Sequence, residues 1–209
     1  MFSKRAVTRI VIATLALLAV FLLVRCTIQK IEGPLYVPQP MTEVPPNVEV
    51  PEEFFGCWRG TLSGGFDTAR SFSPAISDSS LKGIRTTYEF CYDKQPDGGG
   101  RLELTDVELE GREAKITHFE NHPTSVDVRN KRATMRSHVT MESTFWVLII
   151  PVHIAQDIYV QEALQLTSPD VIAVQATQWI VVGGNLIGEM TFHADFHRVQ
   201  SRHIEASLG

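Results

Sequence analysis

From Phe54 onward the chain alternates apolar and polar residues with a period of two, and this alternation constrains the fold more than any other feature. Successive side chains of a β-strand point to opposite faces, so a period of two is typical of strands that bury one face. Residues 87–92 show it most clearly, because their aromatic residues alternate with Glu89 and Cys91. Apart from a single turn near residues 78–82, no later segment keeps a helical period. We therefore expect a mainly β domain.

Turn residues divide residues 54–209 into about eight to ten short strands. The pairs Asn130-Lys131 and Gly183-Gly184 predict tight hairpin turns. A change of parity at Thr105-Asp106 predicts a β-bulge. Short antiparallel strands joined by turns are typical of a closed barrel or a sandwich, and we expect an antiparallel barrel of about eight to ten strands.

Residues 1–30 form a separate segment that is basic and apolar and contains no acidic residue. Residues 6–28 are long enough to cross a bilayer if Arg9 and Arg25 reach opposite interfaces. We expect a single-pass, uncleaved anchor in the cell (inner) membrane, and the basic residues ahead of the apolar run put the N-terminus in the cytoplasm. The main domain is then periplasmic or extracellular. The alternative is a cleaved secretory signal, although no small residues precede a cut near Arg25.

A proline-rich linker follows at residues 31–53, which hold six of the eleven prolines. Proline fixes φ and disfavours helix in the residue before it, so the segment should be extended and semi-rigid. We expect a spacer between the membrane anchor and a barrel domain at residues 54–209. Binding of a partner by the linker is the alternative.

The charge balance argues against nucleic acid as a partner. Residues 1–30 hold five of the 19 basic residues, which leaves 14 basic against 24 acidic residues in the rest of the chain, a formal charge of −10. Such a charge repels a phosphate backbone. The partners that remain are the lipid bilayer, a small ligand and an envelope protein.

Three cysteines suffice for one disulfide and one leftover thiol. Cys57 and Cys91 both lie opposite the apolar face of their strands, and a pair of this kind is usually bonded in an oxidising compartment. We expect a disulfide between Cys57 and Cys91, with two isolated thiols as the alternative. No role is expected for Cys26 at the membrane edge.

The first predicted strand carries the pattern Gly56-x-Trp58-x-Gly60, and Arg198 lies among apolar residues on the inward face of the last strand. This combination resembles the signature of the calycins, which include the lipocalins and other small ligand-binding barrels. The resemblance covers roughly residues 54–200. It implies a barrel whose base is closed by Trp58, with Arg198 packed over the tryptophan ring.

Two features depart from a typical lipocalin. Residues 201–209 leave no room for a C-terminal helix, and the apolar residues 145–154 have no obvious counterpart. A nitrobindin-like barrel is the second relative that the pattern resembles, because it shares a glycine-flanked tryptophan and binds haem through a late histidine.

The interior of such a barrel is expected to bind a small apolar ligand or a lipid. Parity places the following ligand-binding candidates on the inward face: Trp58, Tyr88, Phe90, Glu162, Leu164, Phe192 and Phe196. It places a second set on the outward face: Arg59, Glu89, Thr191 and Asp195. We expect Glu162 to be a polar anchor inside the barrel. Its aliphatic neighbours would raise the pKa of its carboxyl, and the alternative is an ion pair with Arg198 or Arg136.

No catalytic motif is present: the sequence lacks GxSxG, HExxH, a phosphate loop and Cys-x-x-Cys. We expect His193 and His197 to belong to a polar outer face, and His118 and His122 to flank a turn. We therefore expect no enzyme, no metal site and no cofactor. The alternative to ligand binding is a non-catalytic accessory subunit of a cell-envelope complex, which would use the linker or residues 145–154 to bind its partner.

Overall fold

The structure is a computed structural model that describes residues 33–38, 51–74, 76–94, 100–109, 113–147 and 150–199. The predicted membrane anchor, most of the predicted linker and the chain after residue 199 lie outside the described residues. Within those residues, no helix combines the length and the apolar character that crossing a membrane requires.

Nine antiparallel strands make up most of the described chain. Their bounds are β1 Gly56–Leu62, β2 Thr68–Ser71, β3 Thr86–Lys94, β4 Gly100–Leu109, β5 Glu113–Asp127, β6 Arg132–Val147, β7 Ile150–Ser168, β8 Val171–Val182 and β9 Asn185–Val199. The described residues also form a 3-10 turn at Glu52–Phe54 and one short helix, α1 Asp78–Lys82. The mainly β, antiparallel architecture predicted from the period-two alternation is confirmed.

All nine strands belong to one sheet that curls back on itself. The order is β4-β3-β1-β9-β8-β7-β6-β5, and β2 also pairs with β9. Because β1 at the start of the domain pairs with β9 at its end, the sheet closes there by backbone hydrogen bonds. The remaining edges belong to β4 and β5, so the result is a nearly closed barrel.

The predicted turns and the predicted bulge lie where the sequence puts them. Gly183 and Gly184 form the β8–β9 turn at φ of 57° and 81°, a conformation that glycine adopts without steric cost. In the pairing of β3 with β4, Asp106 lies opposite Glu89 and Leu104 lies opposite Phe90. The residue between Leu104 and Asp106 is left over, which is the β-bulge.

Residues 33–38, at the start of the predicted spacer, lie along the β8–β9 hairpin. The backbone N–H of Tyr36 donates to the carbonyl of Gly184 at 3.0 Å, and that of Leu186 donates to the carbonyl of Pro34 at 2.8 Å. The ring of Tyr36 lies 4.8 Å from the ring of Tyr159 on β7. This part of the linker therefore contacts the barrel.

Trp58 is fully buried at one end of the barrel. Its indole Nε1 donates to the carbonyl of Phe54 at 3.0 Å, which satisfies the only polar atom of the ring. The guanidinium carbon of Arg198 lies 4.2 Å from the centre of the ring, within the range of a cation–π interaction. The structure thus places Arg198 over Trp58, in the arrangement that the resemblance implies.

The guanidinium of Arg198 also connects three parts of the chain by hydrogen bonds. It donates to the carbonyls of Phe55 at 2.7 Å and Glu53 at 2.8 Å, ahead of β1. It donates twice to the carbonyl of Pro169 in the β7–β8 turn, at 3.0 and 3.1 Å. These bonds offset the cost of taking the charge partly out of water.

The two glycines of the motif make room for the side chains that pack at this end. A Cβ at Gly56, which has a φ of 123°, would lie 2.5 Å from Nη1 of Arg198. A Cβ at Gly60 would lie 2.5 Å from the ring of Phe196. Any larger residue at either position would displace a side chain of β9, which explains the glycine-tryptophan-glycine spacing.

Cys57 and Cys91 are directly opposite each other on β1 and β3, with Cα atoms 4.0 Å apart, and form a disulfide. The neighbouring outward pair is Arg59 and Glu89, joined by a salt bridge of 3.3 Å. Both contacts join the outer faces of the two strands.

We expect Trp58→Ala to lower the free energy of unfolding by about 3–5 kcal/mol, because it deletes a fully buried aromatic side chain. Arg198→Ala should also destabilise the domain, and the two effects should not add, because the side chains are in contact. Chemical unfolding of both single variants and the double variant gives the coupling energy. Strict additivity would contradict the packing of Arg198 on Trp58.

Candidate ligand site inside the barrel

The barrel contains an apolar cavity of about 90 Å³. Its walls come from seven strands, β3 to β9, and the lining residues are Tyr88, Phe90, Leu102, Leu104, Val107, Leu109, Phe119, Ser137, Val139, Met141, Ile158, Val160, Glu162, Val174, Gln178, Phe192 and Phe196. Almost all of these side chains are aliphatic or aromatic. The cavity can therefore hold an apolar molecule and offers it few hydrogen-bonding groups.

The structure brings most of the predicted ligand-binding residues to this cavity. Five of the seven line it: Tyr88, Phe90, Glu162, Phe192 and Phe196. Trp58 and Leu164 are fully buried in the packed core instead of lining it. Trp58 lies beneath Arg198 at the closed end, and Leu164 lies on β7 two residues beyond Glu162, opposite Ala133 of β6. The predicted outward residues Arg59, Glu89, Thr191 and Asp195 are not among the lining residues.

None of the predicted ligand-binding residues lies on β4, β5 or β6, which supply about half of the lining residues. The alternation of β4, read across its bulge, predicts that Leu102, Leu104, Val107 and Leu109 share a face. The same argument applies to Val139 and Met141 on β6. Parity was therefore a sufficient signal for these residues, but it could not show that β4 and β6 border the same space.

The cavity lies beside the β4–β5 seam, between the two edge strands of the sheet. In the part of the chain that the structure describes, β4 pairs with β3 and β5 pairs with β6, and no backbone pairing joins β4 to β5. Apolar side chains bridge the two edges instead. Val107 packs in one cluster with Val139 and Met141, against which Leu109, Ala114, Ile116 and Phe119 also pack. Separating β4 from β5 would break side-chain contacts and leave the described backbone pairings intact.

Two polar pairs face the cavity. The hydroxyl of Ser137 donates to Oε1 of Glu162 at 3.0 Å and accepts from Nδ2 of Asn121 at 2.8 Å. The amide of Gln178 donates to the hydroxyl of Tyr88 at 3.1 Å. The hydrogen-bond donor of Glu162 is thus a serine, and among the described residues neither Arg198 nor Arg136, the partners of the alternative prediction, is seen to donate to it.

Burial makes the carboxyl of Glu162 and the phenol of Tyr88 harder to ionise. It raises the pKa of the Glu162 carboxyl, and the hydrogen bond from Ser137 offsets part of that rise. It also raises the pKa of the Tyr88 phenol, as does the nearby charge of Glu162 when ionised. Protein surrounds Glu162, and the accessible part of its side chain borders the cavity. The low-dielectric interior therefore favours a neutral acid that can donate a hydrogen bond.

The four histidines named in the sequence predictions, His118, His122, His193 and His197, lie on the outer surface. Nδ1 of His193 on β9 lies 2.6 Å from Oδ2 of Asp67, and His197 is exposed on the same strand. The prediction that His118 and His122 flank a turn is wrong. Both lie within β5, because β5 runs without interruption from Glu113 to Asp127 in pairing with β6.

Fold and site together define a nearly closed antiparallel β-barrel with an apolar cavity that has the carboxyl group of Glu162 on its wall. Compared with known proteins, the chain matches no family model, no curated protein and no solved structure.

Glu162→Gln keeps the shape of the side chain and removes its titration. Because burial raises the pKa of Glu162 above its ordinary value of 4.5, the folded protein binds this proton more tightly than the unfolded chain does. The stability that the proton confers is fully present below pH 4.5 and is lost as the pH rises through the folded-state pKa. We expect the variant to have a higher Tm than the native protein at about pH 8, and the difference to shrink toward pH 4.5.

Thermal unfolding followed by circular dichroism across this pH range measures the effect. Glu142→Gln is the matched control, because Glu142 is exposed on the neighbouring strand β6. Its difference from the native protein should change little with pH. A difference for Glu162→Gln that is constant with pH would show that Glu162 has no raised pKa.

Proposed function

We propose that this chain is a calycin-like barrel, anchored to the cell membrane by residues 6–28, that binds a small, largely apolar molecule in its interior. The observation that carries the proposal is the apolar cavity beside the β4–β5 seam, with Glu162 on its wall. Convergence of many apolar side chains and a few polar groups on one cavity is typical of small-molecule sites.

The chemistry of the wall restricts the ligand. A neutral Glu162 carboxyl can donate one hydrogen bond to a carbonyl, ether or hydroxyl oxygen. A charged ligand group would lose its hydration in this cavity and find few partners. The expected ligand is therefore an apolar body with at most one neutral oxygen.

The volume of the cavity restricts the ligand further. Sites for drug-sized molecules measure roughly 300–1,000 Å³, and a cavity of about 150 Å³ holds benzene. At about 90 Å³ the interior must expand to admit more than a very small molecule. The β4–β5 seam is the place where expansion is easiest, because side-chain packing alone joins those edges among the described residues.

The small volume also favours a second candidate function. A barrel that stays closed and packed would serve as a non-catalytic accessory subunit of a cell-envelope complex. In that case the outer surface and the linker would carry the function, and Leu35 and Val37, each more than four-fifths exposed, would be available to a partner.

Native mass spectrometry of the full-length chain, extracted from membranes in detergent, tests for a retained ligand. Leu104→Trp places a bulky ring in the cavity, since Leu104 is half-buried on its wall. Glu103→Trp is the matched control, because Glu103 is the exposed, outward neighbour on β4. We expect the native protein and Glu103→Trp to carry the same bound mass, and Leu104→Trp to lose at least about nine-tenths of it.

A native protein that carries no bound mass would overturn ligand binding and favour the accessory-subunit function. Equal retention by both tryptophan variants would place the ligand outside the cavity. Each variant is first compared with the native protein by circular dichroism, so that loss of ligand is not confused with unfolding.

The same proposal places the barrel outside the cytoplasm. The basic residues Lys4, Arg5 and Arg9 precede the apolar run, and the Cys57–Cys91 disulfide is typical of proteins in oxidising compartments. We expect alkaline phosphatase fused after Gly209 to be active and a fusion to residues 54–209 alone to be inactive. Activity of a cytoplasmic reporter at the same position would contradict this topology, and loss of the first 30 residues from the mature chain would contradict the anchor.

A further inference from the structure

A cluster of imidazole and carboxylate groups lies on the outer face of β5 and β6, on the opposite side of the barrel wall from the cavity. His118 and Glu120 are two residues apart on β5, so both point outward while Phe119 between them lines the cavity. Glu120 is directly paired with His138 of β6. Backbone register therefore brings two histidines and one glutamate to the same patch of surface.

The donor atoms of these three residues are close enough to share one metal ion. One ligand atom from each of His118, Glu120 and His138 lies within 4.8 Å of the other two. In a tetrahedral Zn²⁺ site with bonds of about 2.0–2.1 Å, neighbouring ligand atoms lie roughly 3.3–3.4 Å apart. The side chains of His118 and Glu120 are 56% and 46% exposed, so they are free to make this adjustment by rotation.

Neighbouring groups already orient two of the three ligands, Glu120 and His138. Oε1 of Glu120 lies 2.8 Å from Nε2 of His122, while Oε2 points toward Nε2 of His118 at 3.8 Å. His122 thus holds one carboxylate oxygen and leaves the other directed at the cluster.

His138 is the other oriented ligand, and contacts with Tyr159 and Asp157 hold its ring. Its ring stacks on Tyr159 of β7 with a centroid distance of 4.5 Å and an interplanar angle of 2°. Its Nε2 lies 3.1 Å from Oδ1 of Asp157, which also accepts a hydrogen bond from Thr140 at 2.8 Å. A carboxylate that accepts from one ring nitrogen is the usual partner of a metal-binding imidazole, because it fixes the orientation of the ring. Asp157 contacts Nε2 of His138, so Nδ1 is the nitrogen left for an ion.

We propose that His118, Glu120 and His138 bind one Zn²⁺ ion on the outer face of the barrel, with His122 and Asp157 orienting the ligands. Two imidazole nitrogens and one carboxylate oxygen are a donor set that Zn²⁺ accepts, and three protein ligands leave a position for water or a further ligand. The expectation of no metal site rested on His193 and His197 belonging to a polar outer face and on His118 and His122 flanking a turn, and it did not include His138. The proposal does not depend on a ligand in the barrel interior.

Zn²⁺ titration of the full-length chain in detergent, purified without a polyhistidine tag and treated with a chelator, tests the proposal. Competition with a chromophoric chelator gives the affinity and the stoichiometry. We expect one ion per chain, and at least about a tenfold loss of affinity in each of His118→Asn and His138→Asn. His193→Asn is the matched control. His193 is an exposed histidine that also contacts a carboxylate, that of Asp67, but among the described residues it belongs to no group of three possible metal ligands.

His118→Asn is the decisive variant, because an exposed side chain can be changed with little effect on folding. Zn²⁺ should also raise the Tm of the native protein and of His193→Asn, and leave that of His118→Asn unchanged, since an ion bound only by the folded state stabilises it. Equal affinities for the native protein and His118→Asn would overturn the proposal and leave the cluster as a surface hydrogen-bond network. Loss of binding in His193→Asn would overturn it too, because the site would then lie on β9.

Discussion

The packing of Arg198 on Trp58 joins the two ends of the barrel domain, and the rest of the sheet depends on that closure. The pairing of β1 with β9 covers only three residues, Cys57 to Arg59, so backbone bonds alone make a short seam there. The guanidinium extends the seam by hydrogen bonds to the chain ahead of β1 and to the β7–β8 turn. A half-buried charge is tolerated here because the aromatic face and the carbonyl oxygens replace its hydration.

The two seams of the barrel differ in chemistry, and the difference locates the cavity. At the β1–β9 seam, the ring of Trp58 and the guanidinium of Arg198 fill the end of the barrel. At the β4–β5 seam, among the described residues, aliphatic side chains meet across edges that share no backbone pairing. The cavity borders this second seam, because Leu104, Val107 and Leu109 of β4 and Phe119 of β5 line it.

The same strands carry both candidate sites on opposite faces. On β5, Phe119 lines the cavity between His118 and Glu120, which belong to the outer cluster. On β6, Ser137 and Val139 face the cavity on either side of His138. The alternation of a strand keeps the two environments separate: burial raises the pKa of Glu162 inside, whereas hydrogen bonding to His122 lowers the pKa of Glu120 outside. An ion on the outer face and a ligand in the interior would be divided by a single layer of backbone.

The sequence by itself determined most of the strands and turns and the face on which their side chains lie, because a strand's alternation and a glycine turn are local properties. It did not show that β5 continues through His118 and His122. The resemblance of the glycine-tryptophan-glycine pattern to the calycin signature linked Trp58 with Arg198, and the parity of the last strand placed Arg198 on the inward face. Only the tertiary structure decided which strands are neighbours. That choice gave Glu162 a serine as its donor, put Leu104 and Val139 on the same cavity wall, and set His138 opposite Glu120. The register between strands is fixed by packing across the whole sheet, so residues far apart in the sequence meet in ways that no local pattern can predict.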